Sequence, residues 1–301
     1  MESISAFFDR NIVVVFFFYG LAFFSMGLAV WLEVSRSLPD RGAKALLFLA
    51  AFGLLHGSHE WLEVFTLLQW TDVTDLAGLL LLETTRVVML ALSFLLLFIF
   101  GLRLIDANRP IEKDNYRATV LWTLGLVVIW LLAVVVVMVM KQPCGTVCWA
   151  VSDVLSRYLL AIPASLVAAW AMLKQRKTYI EKGMPNCARD ISWAALTLLL
   201  YGVVGQFFTR ETFLFPSNIV NSDLFRQFFG IPVQLLRGFL AAGIAIFVVR
   251  ALRSFELDRR QSLQAAHEER LEAQHKSLAV QKKAQQETEK LNQELQEAVQ
   301  D

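Results

Sequence analysis

Residues 118–140 read ATVLWTLGLVVIWLLAVVVVMVM, twenty-three positions without one charged side chain. A helix of that length rises about 34 Å, enough to cross a hydrocarbon core about 30 Å thick. The same reading applied outward finds six more predominantly apolar stretches, near 12–34, 45–69, 77–102, 150–173, 190–208 and 230–249. Over all 301 residues, hydrophobic side chains make up 56% and charged ones 18%, with a mean hydropathy of +0.51. That leaves too little polar surface to cover a water-soluble globule, so the expected class is an all-α bundle of seven transmembrane helices.

Several other classes lose support. The net charge of +1 conceals a segregation, because residues 250–301 carry 19 of the 55 charged side chains. No basic patch interleaved with aromatics is present, so no nucleic-acid partner is expected. The GxGxxG, GxxxxGK[ST] and GxSxG patterns are absent, which removes the dinucleotide, P-loop and serine-hydrolase readings. The first apolar stretch has neither a cationic lead-in nor a small-residue cleavage site, so it is expected to stay as a span.

Loop charges set the expected orientation. With the amino terminus outside, the inside segments 35–44, 103–117, 174–189 and 250–260 hold 16 Lys and Arg. The outside segments hold four: Arg10, Lys141, Arg210 and Arg226. The positive-inside rule therefore predicts N-out, C-in. Trp31, Trp61, Trp70, Trp149, Trp170 and Trp193 fall near span ends, at interfacial depth.

Two domains are expected, a membrane bundle over 1–249 and a cytoplasmic helix over 250–301. Residues 256–301 contain no Gly or Pro and are rich in Glu, Gln, Lys, Arg and Ala, which favours one continuous helix. Leu257, Leu271 and Leu278 sit at multiples of seven, and Leu291, Leu295 and Ala298 follow a 4–3 step. A solvated charged tail and a parallel dimeric coiled coil both fit, and the spacing favours the coiled coil. No module follows the stalk before Asp301, so an output domain is expected beyond it or bound to it.

Charged side chains inside a span cost about 2.5–3.5 kcal/mol or more near the bilayer centre, so their positions carry information. In Leu55-His56-Gly57-Ser58-His59-Glu60-Trp61-Leu62-Glu63, positions 56, 59, 60 and 63 share one helical stripe. The third span carries Glu83 and Arg86, the fifth Asp153 and Arg157, the sixth Gln206, and the seventh Gln234 and Arg237. Under the N-out topology these residues lie in the outer halves of their spans, above inner halves of Leu, Val, Ala and Phe. A polar cavity open towards the outer face is expected, with no polar path continuing inward as a channel would require.

Several occupants fit such a layer. Glu60, Glu63, Arg86, Asp153, Arg157, Gln206, Gln234 and Arg237 are the candidate ligand-binding residues. An ion-pair network that only ties helices together is the bland alternative. His56, His59, Glu60 and Glu83 form a candidate zinc, copper or iron set. Haem b is the competing cofactor, although histidine on a single helix leaves its second axial ligand to a partner subunit or another residue type. The arginines also suit a small anion, a carboxylate or a quinone headgroup. A retinal Schiff base is not expected, because the seventh span has no Lys. Cys144 and Cys148 lie in an outside loop where a disulfide could persist.

Three segments resemble the multi-span input region of bacterial sensor histidine kinases and diguanylate cyclases. They are Phe18-Tyr19-Gly20-Leu21-Ala22-Phe23-Phe24, His56-Gly57-Ser58-His59-Glu60-Trp61, and Gly230-Ile231-Pro232-Val233 through Arg237. The exit sequence Arg250-Ala251-Leu252-Arg253-Ser254-Phe255-Glu256 is similar to the connector that leaves such regions for a signalling helix. The likeness covers about residues 1–260. It implies a two-component or cyclase input in a bacterial inner membrane, paired through the stalk as a homodimer and coupled to an output domain in cis or in trans. His267-Glu268-Glu269-Arg270-Leu271 lacks the Pro that usually follows a phospho-acceptor histidine, so no phosphorylation is assigned there.

The expected function is therefore a membrane sensory domain. It would bind a metal ion, cofactor or small ligand in the outer-half cavity and signal through the last span, with Arg237 as the coupling residue. The alternative is a haem- or metal-dependent membrane redox protein or hydrolase using the His56/His59 stripe.

Overall fold

The structure, a computed structural model, describes residues 2–36, 41–68, 76–107, 116–140 and 146–300. Its helices are α1 (Glu2–Arg10), α2 (Ile12–Arg36), α3 (Arg41–Leu67), α4 (Leu76–Ala107), α5 (Tyr116–Met140), α6 (Thr146–Leu155), α7 (Ile162–Glu181), α8 (Pro185–Leu200), α9 (Ser222–Phe229) and α10 (Val233–Gln300). A π-helical turn, Ser156–Ala161, joins α6 to α7, and a second, Tyr201–Gly205, prolongs α8. Among the described residues the one sheet-like feature is a bridge between Thr209 and Asn221. The chain divides into two compact units, Met1–Leu252 and Arg253–Asp301.

Among the described residues, six helices are long and apolar enough to cross a membrane: Ile12–Ser35, Ala77–Ala107, Tyr116–Met140, Val147–Glu181, Pro185–Gly205 and Val233–Leu257. This is an all-helical, multi-pass membrane protein. The sequence reading counted α3 as a further span. Its 27 residues give it the length, but His56, His59, Glu60 and Glu63 dilute its apolar character and it is not one of the six.

Local sequence explains the element boundaries. Gly183, at φ +75°, takes the left-handed conformation after α7, and Pro185 opens α8, where its missing N–H costs nothing. Asn221 caps α9 by accepting from the Asp223 and Leu224 amides at 3.2 and 2.9 Å. Gly230 closes that helix at φ +69°. A short helix therefore stands between the apolar stretches 190–208 and 230–249.

Packing depends on glycine where α2 meets α3. A Cβ added to Gly57 would lie 2.6 Å from the Gly20 carbonyl oxygen, and one on Gly53 would lie 2.7 Å from the Phe23 carbonyl oxygen. The two backbones touch, as small-residue contacts between membrane helices allow. Gly101 plays the same part where α4 meets α7, with a Cβ reaching 2.8 Å from the Ala168 amide nitrogen. The core between these helices is filled by Tyr19, Phe23, Phe52, Phe94, Leu97 and Phe100. In contrast, α5 buries only Thr119, Trp130, Val134 and Val137 and exposes apolar side chains around the rest of its surface.

In the second unit, Leu257, Leu271 and Leu278 are exposed. The side chains of Leu291, Leu295 and Ala298 lie outside the described residues, as do Trp70 and Cys144. Cys148 is disulfide-bonded.

Candidate functional site

The stripe on α3 sits among four other elements. Ser93 of α4 donates its hydroxyl to the Leu90 carbonyl at 2.7 Å, so towards His56 Nδ1, 3.0 Å away, it can only accept. That places the His56 proton on Nδ1 and leaves Nε2 as an acceptor. The Tyr201 hydroxyl, from the second π turn, donates to Nε2 at 2.7 Å and accepts from the Tyr19 hydroxyl of α2 at 2.5 Å. The Tyr19 hydroxyl also stands 3.3 Å from His56 Nε2, so a hydrogen-bonded cluster links α2, α8, α3 and α4. All four side chains are fully buried, and the rings of Phe23, Phe52 and Phe94 stand within 4.9–5.3 Å of the imidazole centroid.

About two turns further along α3, at Glu63, the chemistry becomes ionic. Arg86 of α4 donates from Nε to Glu63 at 2.9 Å and from Nη1 to Glu83 at 2.9 Å. Arg157, in the first π turn, holds Asp153 through Nε at 3.0 Å and Nη2 at 3.2 Å, and donates from Nη1 to Gln206 Oε1 at 2.7 Å. Arg237 of α10 donates to two backbone carbonyls, Gly205 at 2.7 Å and Phe208 at 2.9 Å. Carbonyls at a helix end lack intrahelical partners, and a guanidinium there also complements the helix dipole. Both π turns therefore carry or flank groups of this layer, a placement common for π-bulges at functional sites.

Glu60, Glu63, Asp153, Arg157, Gln234 and Arg237 line one cavity of about 80 Å³. Phe208, Thr209, Arg210 and Ser222 close it from the segment around α9. Gln206 stands behind Arg157 as its acceptor, and Arg86 stands behind Glu63. The lining carries three carboxylates and three arginines, so at formal charge it is balanced. A volume of this size admits several waters or a molecule of a few heavy atoms, whereas drug-sized ligands occupy about 300–1,000 Å³. A haem macrocycle does not fit it.

The four candidate metal ligands differ in what they have left to offer. His56 has both ring nitrogens engaged, and Glu83 is held by Arg86. Glu60 is buried with its carboxylate 3.5 Å from His56 Nε2. His59 is 1% exposed and neither ring nitrogen has a hydrogen-bond partner, with Glu63 at 4.0 Å. Among the described residues, no group of three or more His, Cys, Asp or Glu side chains is placed to hold a metal ion. Gln206 Nε2 is a second buried donor without a partner. Such groups in a native interior call for an explanation.

Reasoning from sequence missed Tyr19, Ser93 and Tyr201, which satisfy His56, and Arg210 with its neighbours at the cavity mouth. It also missed the tie at the opposite end of the bundle, where Arg250 Nη2 of α10 meets buried Asp190 of α8 at 3.2 Å. Beside that pair, buried Cys187 sits 3.6 Å from the Ala251 carbonyl oxygen. Depth could have found the tyrosines: Tyr19 and Tyr201 fall in the outer halves of their spans under the same topology. No family model matches the chain, and no curated protein or solved structure matches it either.

Proposed function

We propose that this chain is the sensory input region of a bacterial inner-membrane signalling protein. In this reading α3 crosses the bilayer with the six apolar helices, the amino terminus is outside, and the cavity lies in the outer half of the membrane. The loop charges support that orientation, with 16 Lys and Arg on one side and four on the other. The ligand is a small polar molecule. A balanced lining favours one that is neutral or zwitterionic, because a net charge brought into this layer would stand uncompensated.

The observation that carries the reading is the position of Arg237. It lines the cavity, grips the end of α8 through the Gly205 and Phe208 carbonyls, and belongs to the helix that runs on to Gln300. At the other end of the bundle Asp190 and Arg250 join α8 and α10 again. A ligand that competes for Arg237 or Arg157 shifts α10 against α8, and the stalk passes this on as a change of register in a dimeric coiled coil. The exposed Leu257, Leu271 and Leu278 are the seam a second stalk would cover. The output is a histidine kinase or diguanylate cyclase module, in cis or in trans.

The test begins with an absorption spectrum and elemental analysis of the detergent-purified protein. A Soret band, or stoichiometric metal lost in a His56/His59 double variant, would replace this reading with the redox or metal one. Thermal unfolding is then followed with a panel of amino acids and other small neutral or zwitterionic solutes. At least one is expected to raise the midpoint in the native chain and not in Arg237→Ala. Arg237→Ala is also expected to fix the output of a kinase fused to the stalk in one state; an unchanged response would defeat the coupling scheme.

A further inference from the structure

A second cavity lies on the outside of the bundle, between α2 and α10. It measures about 620 Å³ and is lined by apolar side chains, including Phe18, Tyr19 and Leu21 of α2 and Gly238, Ala242 and Ile246 of α10. Phe7 and Phe8 of α1 close one end. The groove opens sideways: Phe18, Phe239 and Ile246 on its rims are more than half exposed. It exists because α10 presents Gly238, Ala242 and Ala245 here and α2 presents Ala22 and Ser25, side chains too short to meet across the gap.

Its dimensions select the occupant. The lining runs from Asn11 to Ser25 on α2, about 21 Å of helix, and from Leu235 to Ile246 on α10, about 16 Å. One leaflet of the hydrocarbon core is about 15 Å deep. A volume of about 620 Å³ over that length gives a mean cross-section of about 30–40 Å². An α-helix with its side chains, about 10–12 Å across, needs about 80–110 Å². The groove is therefore narrower than a whole helix, and one extended hydrocarbon chain can run along its depth.

Polarity gives the direction. The groove is apolar along its length apart from Ser25, whose hydroxyl donates to the Ala22 carbonyl, and its charged neighbours gather at the α1 end. There Asn11 Nδ2 donates to the Phe7 carbonyl, exposed Arg10 precedes it, and Arg226 of α9 reaches Ser5 at 3.0 Å and also Asp9. We propose that this groove is a binding site for one acyl chain of an outer-leaflet phospholipid, with the headgroup at the level of Arg10 and Asn11. The proposal rests on the membrane topology given above. It adds a regulatory contact to the ligand cavity, because the chain packs on α2 at Tyr19, whose inward-facing hydroxyl bonds Tyr201, and on α10 at Gly238, the neighbour of Arg237.

The native chain, reconstituted in phosphatidylethanolamine–phosphatidylglycerol nanodiscs, is photolabelled with a phosphatidylethanolamine bearing a diazirine in its acyl chain, and the labelled peptides are mapped by mass spectrometry. Label is expected in residues 14–25 and 235–246 several-fold above the equally exposed surface of α5. Ala242→Leu, which fills the groove, is expected to abolish that excess, and Val135→Leu on α5 to leave it unchanged. Uniform labelling of all lipid-facing helices in the native chain would overturn the proposal, and so would an oxidative disulfide cross-link between two copies of a Phe239→Cys variant. The native-chain map stands even if Ala242→Leu fails to fold. A lost excess alongside an intact thermal response to small polar solutes would remove the lipid site and leave the sensory reading standing.

Discussion

Helices α3 and α5 are nearly the same length, 27 and 25 residues, and solve opposite problems. α5 is apolar on every side and touches its neighbours along a narrow strip, so most of its surface suits lipid. α3 carries two histidines and two glutamates, and it is walled in by α2, α4 and the two π turns, which bring hydroxyls to His56 and a guanidinium to Glu63. Polarity on a membrane helix is tolerable when neighbouring helices pay for it with hydrogen bonds. The pair shows that hydropathy ranks helices by exposure to lipid rather than by whether they belong to the bundle.

The sharpest way to break this contrast is to move α2 away from α3. Gly57→Leu places a side chain where the Gly20 carbonyl, the Phe24 amide and the Phe24 Cβ lie within 2.9 Å. Two of these atoms are backbone and cannot step aside. A loss above about 5 kcal/mol is expected, in the rare tail of single substitutions, seen as failure to recover a monodisperse folded protein in detergent. Next in size is Arg157→Ala, which strands the buried Asp153 carboxylate and frees Gln206. About 3–5 kcal/mol is expected from thermal or denaturant unfolding. The double variant Arg157→Ala with Asp153→Ala should recover much of that, and an equally large loss in the double variant would show that the pair is not the cause.

Much of this was legible in the sequence because charge inside a membrane is costly enough to be conspicuous. Glu60, Glu63, Asp153, Arg157, Gln234 and Arg237 stood out for that reason, and they line one cavity. Tyr19, Ser93 and Tyr201 did not stand out, because a hydroxyl on an apolar helix costs little by itself and its partner is set by packing. The π turns were unreadable for a related reason: a shift from i→i+4 to i→i+5 bonding reflects tertiary fit, and neither Ser156–Ala161 nor Tyr201–Gly205 carries a Pro to mark it. Arg210 and Ser222 come from a segment that sequence periodicity describes only as a connection.

The two histidines reproduce the comparison within a single turn of α3. Tyr201→Phe removes the 2.7 Å donor to His56 Nε2 and leaves that nitrogen only the longer contact with the Tyr19 hydroxyl, at 3.3 Å. A cost of about 1–3 kcal/mol is expected in thermal unfolding. His59→Leu should be close to neutral, because its ring nitrogens have no hydrogen bonds to lose. If His59→Leu destabilises as much as Tyr201→Phe, the imidazole is engaged by a bound molecule retained through purification, which would move His59 from bystander to ligand contact.

The smallest effect belongs to α5, and its sign is what matters. Gly125 has nothing within 4 Å of an added Cβ, so Gly125→Ala meets no obstacle. Removing glycine's freedom from the unfolded chain and adding a better helix former should stabilise by about 0.4–1 kcal/mol. The same single methyl on Gly57 of α3 would press on two backbone atoms and the Phe24 Cβ. A gain at 125 together with a loss at 57, read from unfolding midpoints in the same detergent, would place the tight packing of this bundle on the α2–α3 side. A loss at 125 would mean that α5 has a tightly packed partner in the membrane, most simply a second copy, and the lipid-facing role given to this helix would be wrong.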